Sequence, residues 1–280
     1  MADPNIPSGP FKAACVQLRS SDDVAENIFE TVRLVREAAA RGARFIATPE
    51  NTTLMAPDGG AKLAHSFDEA RDPALPVFSA LAKELNVWLL IGSLAIKVSD
   101  TKTANRSFLF SPAGTITARY SKIHLFDVAL ASGEVYRESN TVAGGDGAVI
   151  ADTEFGSIGL SICYDLRFPH LYRRQAQKGA FLFTVPSAFT VPTGEAHWHV
   201  LLRARAIENG AFVIAPAQGG VHANGRKTYG HSLIVAPWGD VLAEAGTEPG
   251  VIVADIDPRL SADARARVPS LQHDRLFSGP

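Results

Sequence analysis

Phe11-Lys-Ala-Ala-Cys-Val-Gln-Leu18 is a short apolar run suited to a buried strand, and Ser20, Ser21, Asp22 and Asp23 behind it offer N-cap side chains. The helix predicted to start there puts Val24, Ile28, Val32, Val35 and Ala39 on one apolar stripe, with Glu26, Arg33 and Arg36 opposite. Gly42 supplies a left-handed stop, and Phe45 to Thr48 reads as a second buried strand ending at Pro49-Glu50. The same order returns later: Ser157 to Tyr164 as strand, Pro169 to Lys178 as helix, Phe181 to Val185 as strand. Cys15-Val-Gln-Leu-Arg19 resembles Cys163-Tyr-Asp-Leu-Arg167, and Gly42 reaches Pro49 at the offset by which Gly179 reaches Pro186. We read a repeated β-α-β unit, hence two similar sheet halves packed face to face with helices outside. Chance similarity of buried strands is the competing account.

Between and after these units the sequence predicts a helix over Ala74 to Leu85 and strands at Val87 to Ile96, Ser107 to Phe110 and Thr115 to Ile123. Residues 126 to 147, rich in glycine and polar side chains, read as a long surface excursion of the kind that often carries function. A helix at Glu195 to Glu208 and strands at Phe212 to Pro216, Ser232 to Val235 and Val251 to Ile256 follow. A chain of 280 residues would hold roughly two domains at about 150 residues each. The repeat argues instead for one domain over 1–280, with a sandwich core at about 11–257 and a C-terminal tail at 258–280.

With 46% apolar residues, 20% charged residues and a net charge of −2, the composition is that of a soluble globular protein without the basic footprint that phosphate backbones require. The two cysteines, Cys15 and Cys163, are too few for a disulfide scaffold and fit a reducing cytoplasm. Met1 to Pro10 lacks the charged and apolar regions of a secretory signal, and Val87 to Ile96 is about half the ~20 residues needed to span a bilayer. Nucleic acid and membrane are therefore not expected as partners.

The eight histidines show no ligand spacing; His197 and His199 fall on a predicted helix, where a two-residue step turns about 200°. No metal site is expected. No phosphate-cradling glycine motif occurs, and Gly230-His-Ser232-Leu-Ile234 lacks the last glycine of a serine nucleophile elbow. Cys163 is better placed, near the carboxyl end of the strand predicted over Ile158 to Cys163, where α/β folds tend to bind ligands; a buried structural thiol is the alternative. Glu50 ends an apolar strand, where a buried carboxylate is costly unless it moves a proton. Lys122 and His124 share a face if Tyr120 to Asp127 is extended, a solvated edge strand being the plainer reading. Thiol, carboxylate and ammonium on different strand ends form a candidate nucleophile, general base and oxyanion stabiliser.

Phe45-Ile-Ala-Thr-Pro-Glu50, Tyr120-Ser-Lys122-Ile-His-Leu-Phe-Asp127 and Gly159-Leu-Ser-Ile-Cys163-Tyr-Asp-Leu-Arg-Phe-Pro169 resemble, in order and separation, the three catalytic blocks of the nitrilase superfamily of carbon–nitrogen hydrolases. The resemblance runs to Pro237-Trp-Gly239. It implies an α-β-β-α sandwich with two mixed sheets, a Glu50-Lys122-Cys163 triad and no cofactor. Glu138 matches the second active-site glutamate, with Glu134 the neighbouring alternative. Val128-Ala129-Leu130 departs from the family by lacking an acidic residue after Phe-Asp, which implies an altered loop. The stretches Pro186 to Trp198 and Arg203 to Asn209 resemble the Nit branch.

That branch implies hydrolysis of an amide on a small carboxylated substrate such as deaminated glutathione. The alternatives are an ω-amidase acting on α-ketoglutaramate, an N-carbamoyl amidohydrolase, or a non-catalytic binding subunit. Cys163 would attack the carbonyl, Lys122 and the Tyr164 N–H would meet the oxyanion, and Glu50 would shuttle the proton while Glu138 positions substrate or shares the base role. Arg167 and Phe189 are the candidate substrate contacts, with Arg203 and Arg205 as further arginines that could bind a carboxylate. A homodimer or higher homo-oligomer is implied by the resemblance alone.

Overall fold

The computed structural model describes residues 9–129, 133 and 135–279. In chain order the first half carries β1 (Phe11–Gln17), α1 (Val24–Ala40), β2 (Phe45–Ala47), α2 (Gly59–Ala64), α3 (Ala74–Leu85), β3 (Trp88–Lys97), β4 (Thr103–Phe110) and β5 (Ile116–Ser121). The predicted surface excursion holds three short strands, β6 (Asp127–Ala129), β7 (Val135–Arg137) and β8 (Val142–Ala143). Then come β9 (Val149–Thr153), β10 (Gly156–Leu160), α4 (Pro169–Gln177), β11 (Leu182–Thr184), α5 (Val191–Asn209) and β12 (Phe212–Ala215). The chain continues through β13 (Gly219–Val221), β14 (Lys227–Tyr229), β15 (Leu233–Val235), β16 (Val241–Glu244), β17 (Gly250–Ile256) and α6 (Arg259–Arg267).

Two large sheets have the orders β17-β1-β2-β3-β4-β5 and β9-β10-β11-β12-β15-β16. In each, three consecutive strands are parallel (β1, β2, β3; β10, β11, β12) and their flanking neighbours run antiparallel. The two halves therefore repeat strand for strand, with one difference: the partner of β1 is β17, from the far end of the chain, whereas β9 directly precedes β10. Alternation along β1 turns Ala13 and Cys15 toward the core between the sheets and Ala14 and Val16 toward α1 and α3. Cys15, Phe45 and Leu90 meet Leu160, Phe183 and Ile214 in one core, so the layers run α-β-β-α.

The register refines the repeat. Ala13 pairs with Phe45 and Cys15 with Ala47, while Ile158 pairs with Leu182 and Leu160 with Thr184. Cys15 is thus the counterpart of Leu160, and Cys163 lies three residues further on, level with Leu18. The strand predicted through Cys163 stops at Leu160, and Cys163–Arg167 forms a 3-10 turn. Helix α1 is also rotated slightly from its predicted stripe: Asn27, Thr31, Leu34, Val35 and Ala38 are buried. Two polar residues tolerate this because Asn27 Nδ2 donates to the Ser21 and Thr53 carbonyls (2.9 Å each) and Thr31 Oγ1 to Asn27 C=O (2.7 Å).

In the segment predicted as a tail, α6 packs on the sandwich. Arg265 donates to the carbonyls of Asn209 (3.1 Å) and Ala180 (2.6 Å), and Ser261 and Ala264 are buried.

Candidate active site

The ends of β2, β5 and β10 open onto one cavity of about 590 Å³. It is lined by Glu50, Lys122, Glu138, Cys163, Tyr164, Arg167 and Phe189, so these seven predicted residues share one space. Glu134 lies outside the described residues. Arg203 and Arg205 are elsewhere: Arg203 donates to Gly239 C=O, and buried Arg205 to Leu166 C=O and Glu208. Among the described residues no cluster of three or more His, Cys, Asp or Glu side chains could hold a metal.

Cys163 opens its turn with a φ of 49°, in the left-handed region that a side chain rarely adopts, and its N–H is held by Pro186 C=O at 2.9 Å. That conformation takes the thiol out of the strand direction and leaves the Tyr164 N–H ahead of the first 3-10 bond, from Asp165 N–H to Ile162 C=O, without an intrahelical acceptor. Burial and then the neighbouring Glu50 push the thiol pKa far above its ordinary value, against the weaker pull of Lys122 and the Ala188 N–H. Burial and the Glu50 charge thus favour the protonated thiol over the thiolate.

Lys122, just past β5, is 2% exposed and is clamped between two carboxylates: Nζ lies 2.9 Å from Glu50 Oε1 and 2.9 Å from Glu138 Oε2. Burial disfavours its charge, but Glu138 and Glu50 outweigh burial and hold its pKa well above the ordinary value. Glu138 is half-buried, which disfavours its charge, yet Lys122 and the Phe126 N–H (2.7 Å) lower its pKa to about 2. The excursion folds back through the β6–β7 hairpin, which returns Glu138 to Phe126 and so to the cluster.

Two residues that sequence reasoning missed complete the frame. Asn105 Nδ2 on β4 bridges Glu50 Oε1 (2.8 Å) and Glu138 Oε1 (3.2 Å). Asp165 is wholly buried; its Oδ2 accepts from Tyr120 O–H (2.7 Å) and Ile162 N–H (2.9 Å), and its Oδ1 from His124 N–H (3.0 Å). It ties the residues flanking Lys122 to the turn that carries Cys163. His124 stacks on Phe168 with its Nδ1 2.7 Å from the same carboxylate, so it braces the turn instead of sharing a strand face with Lys122. Asp165→Asn would leave donors unmatched, lowering stability by about 1–3 kcal/mol. It would also lower turnover by about tenfold to a hundredfold through misplacement of thiol and ammonium. Thermal melts alongside turnover check this, and turnover at the level of the unchanged protein would refute it.

Residues 12–266 match the carbon–nitrogen hydrolase family. The chain belongs to that family. Over 96% of its length it is 41% identical to the deaminated glutathione amidase of Synechocystis, covering 99% of that protein, and over 95% it is 35% identical to human omega-amidase NIT2, covering 95%. Saccharomyces cerevisiae Nit3, a member of branch 10 of the nitrilase superfamily, superposes with a TM-score of 0.85 at 30% identity, covering 96% of this chain and 97% of that one. An amidase variant from Nesterenkonia sp. AN1, bearing the acetamide moiety of fluoroacetamide on its active-site cysteine, superposes at 0.81 with 25% identity over 98% and 97%. This carbon–nitrogen hydrolase has the nitrilase sandwich and is a cysteine-dependent amidase that cleaves an amide C–N bond. No described helix is long and apolar enough to cross a membrane.

Proposed function

We propose that the substrate is an amide of a 2-oxo acid, with deaminated glutathione the best fit, and that Cys163, Glu50 and Lys122 carry the reaction. The observation that carries this reading is the convergence on one cavity of a strained, buried thiol, a carboxylate and an ammonium held charged by that carboxylate and Glu138.

Glu50 takes the thiol proton as Cys163 Sγ attacks the amide carbonyl, so no free thiolate has to persist in a buried, acidic setting. Negative charge developing on the carbonyl oxygen meets Lys122 and the Tyr164 N–H. Lys122 stays protonated throughout, so its contribution is electrostatic. The C–N bond breaks, Glu50 returns the proton to the departing amine, and a thioester remains. Water then attacks, giving one proton to Glu50, the acid leaves, and the proton returns to sulfur. Glu138, whose carboxylate is bonded to Lys122 Nζ and the Phe126 N–H, holds Lys122 in place. Arg167 stacks its guanidinium 5.6 Å from the Phe189 ring and 5.9 Å from that of Tyr164, a cationic and aromatic wall suited to the 2-oxo acid carboxylate.

The same reading takes residues 1–280 as one functional unit, working as a homodimer or higher homo-oligomer in a reducing cytoplasm, where the unpaired Cys15 and Cys163 remain thiols. Product release from deaminated glutathione, α-ketoglutaramate, N-carbamoyl-β-alanine and simple nitriles, with intact mass recorded during turnover, tests it. A thioester adduct and a preference for the 2-oxo amides are expected. Turnover of nitriles alone, or no adduct on Cys163, would overturn it.

A further inference from the structure

Two cations in the cavity have no part in the chemistry above. Lys62, in the last turn of α2, is half-buried, and among the described residues its Nζ makes one hydrogen bond, to Asn51 Oδ1 at 3.2 Å. Arg226, between β13 and β14, donates from Nη2 to Ala188 C=O (3.1 Å) and approaches Met55 Sδ from Nη1 (3.6 Å). Its Nε is buried with no partner among the described residues. An ammonium has three donors and a guanidinium five, so most of this donor capacity is unused.

The nearby carboxylates are occupied. Glu50 and Glu138 share Lys122 and Asn105, and Asp58 Oδ1 caps α2 by accepting from Ala61 N–H at 2.8 Å. Burial lowers the pKa of Lys62, and Arg226 and Lys122 push the same way against Glu138 and Glu50. Burial is thus the main cost to the Lys62 charge, and the carboxylates that offset it most are already bonded to Lys122 and Asn105, so an anionic ligand with free acceptor oxygens would fit between Lys62 and Arg226.

The Lys62 end of this wall adjoins Glu50. Asn51, which Lys62 holds, follows Glu50 in the chain, and Glu50 is the group that hands the amine its proton. Arg167 sits in the turn of Cys163 itself. Resting on Cys163 as the nucleophile, we propose that Lys62 and Arg226 bind a carboxylate carried by the departing amine. The site is then fitted to secondary amides of amino acids or short peptides over primary amides, with Arg167 left to hold the acyl half.

The test compares deaminated glutathione with its C-terminal carboxamide, which removes only the charge on the leaving portion. The unchanged enzyme is expected to favour the free carboxylate by about tenfold or more in kcat/KM, mainly through KM, as one charge-assisted contact can supply. Lys62→Met and Arg226→Met should each cut that preference at least threefold, and Lys62→Arg should keep it. Because each ratio is taken within one preparation, partly misfolded material cancels. No preference in the unchanged enzyme, or a preference that survives both Met variants, would overturn the assignment. Turnover of α-ketoglutaramate with neither secondary amide cleaved would also overturn it while leaving the thioester chemistry standing. Absence of any thioester would instead overturn the nucleophile.

Discussion

Cys163→Ala is expected to lower amide turnover by at least about a thousandfold and to abolish the thioester adduct, because no second thiol is among the described residues that line the cavity. The fold should survive. Cys163 lies at the cavity wall, its N–H stays bonded to Pro186 C=O whatever the side chain, and removing one sulfur leaves the β10 ladder intact. The informative partner is Cys15→Ala. Cys15 is fully buried on β1, burial pushes its pKa up, and its sulfur lies 3.8 Å from Leu233 C=O inside the sandwich. That variant should keep its turnover and lose about 1 kcal/mol of stability to the small cavity left behind. Turnover assays with thermal melts separate the two, and comparable activity in both variants would remove Cys163 from the chemistry.

The pair of cysteines also shows where sequence and structure part. Each sits near Leu-Arg after an apolar strand, so similarity in one dimension aligns them, yet hydrogen-bond register places Cys15 opposite Ala47 and Leu160 opposite Thr184. Short apolar strands carry little information on register, since any of several slips keeps them apolar. What separates the thiols is backbone conformation: Cys163 is pushed to positive φ by a turn that Asp165 braces, and no composition or periodicity announces that. The layers were legible because Gly42 to Pro49 and Gly179 to Pro186 fix where parallel strands begin and end. Glu50, Lys122 and Cys163 were legible through their motifs. Asn105, Lys62 and Arg226 were not, because each reaches the cavity by tertiary packing from a segment with no local signature: the middle of β4, a two-turn helix and the β13–β14 connection.

Lys122→Met should cost both activity and fold, in a way that depends on pH. In the unchanged protein the buried ammonium stands between the buried Glu50 and the half-buried Glu138, and its removal leaves the two carboxylates close together with Asn105 as their shared neutral donor. Breaking such a buried pair costs about 3–5 kcal/mol. The pH behaviour should also reverse. With Lys122 present, Glu138 is held at about 2, below its unfolded value, so its stabilisation is complete above pH ~4.5 and fades as pH falls toward 2. Without Lys122, burial, the largest influence on Glu138, and the adjacent Glu50 charge are opposed only by the Phe126 N–H and Lys62, and are expected to raise its folded pKa above the unfolded one. The destabilisation is then greatest at pH 8 and shrinks as protons neutralise the carboxylates on the way down to about pH 5. Adding Glu138→Gln to Lys122→Met removes one of the two stranded charges and should recover much of the stability, but no turnover, since the oxyanion would still lack its cation. Melting temperatures from pH 5 to 8 for the three proteins check this; a constant gap across that range would show that Lys122 carries no structural charge here.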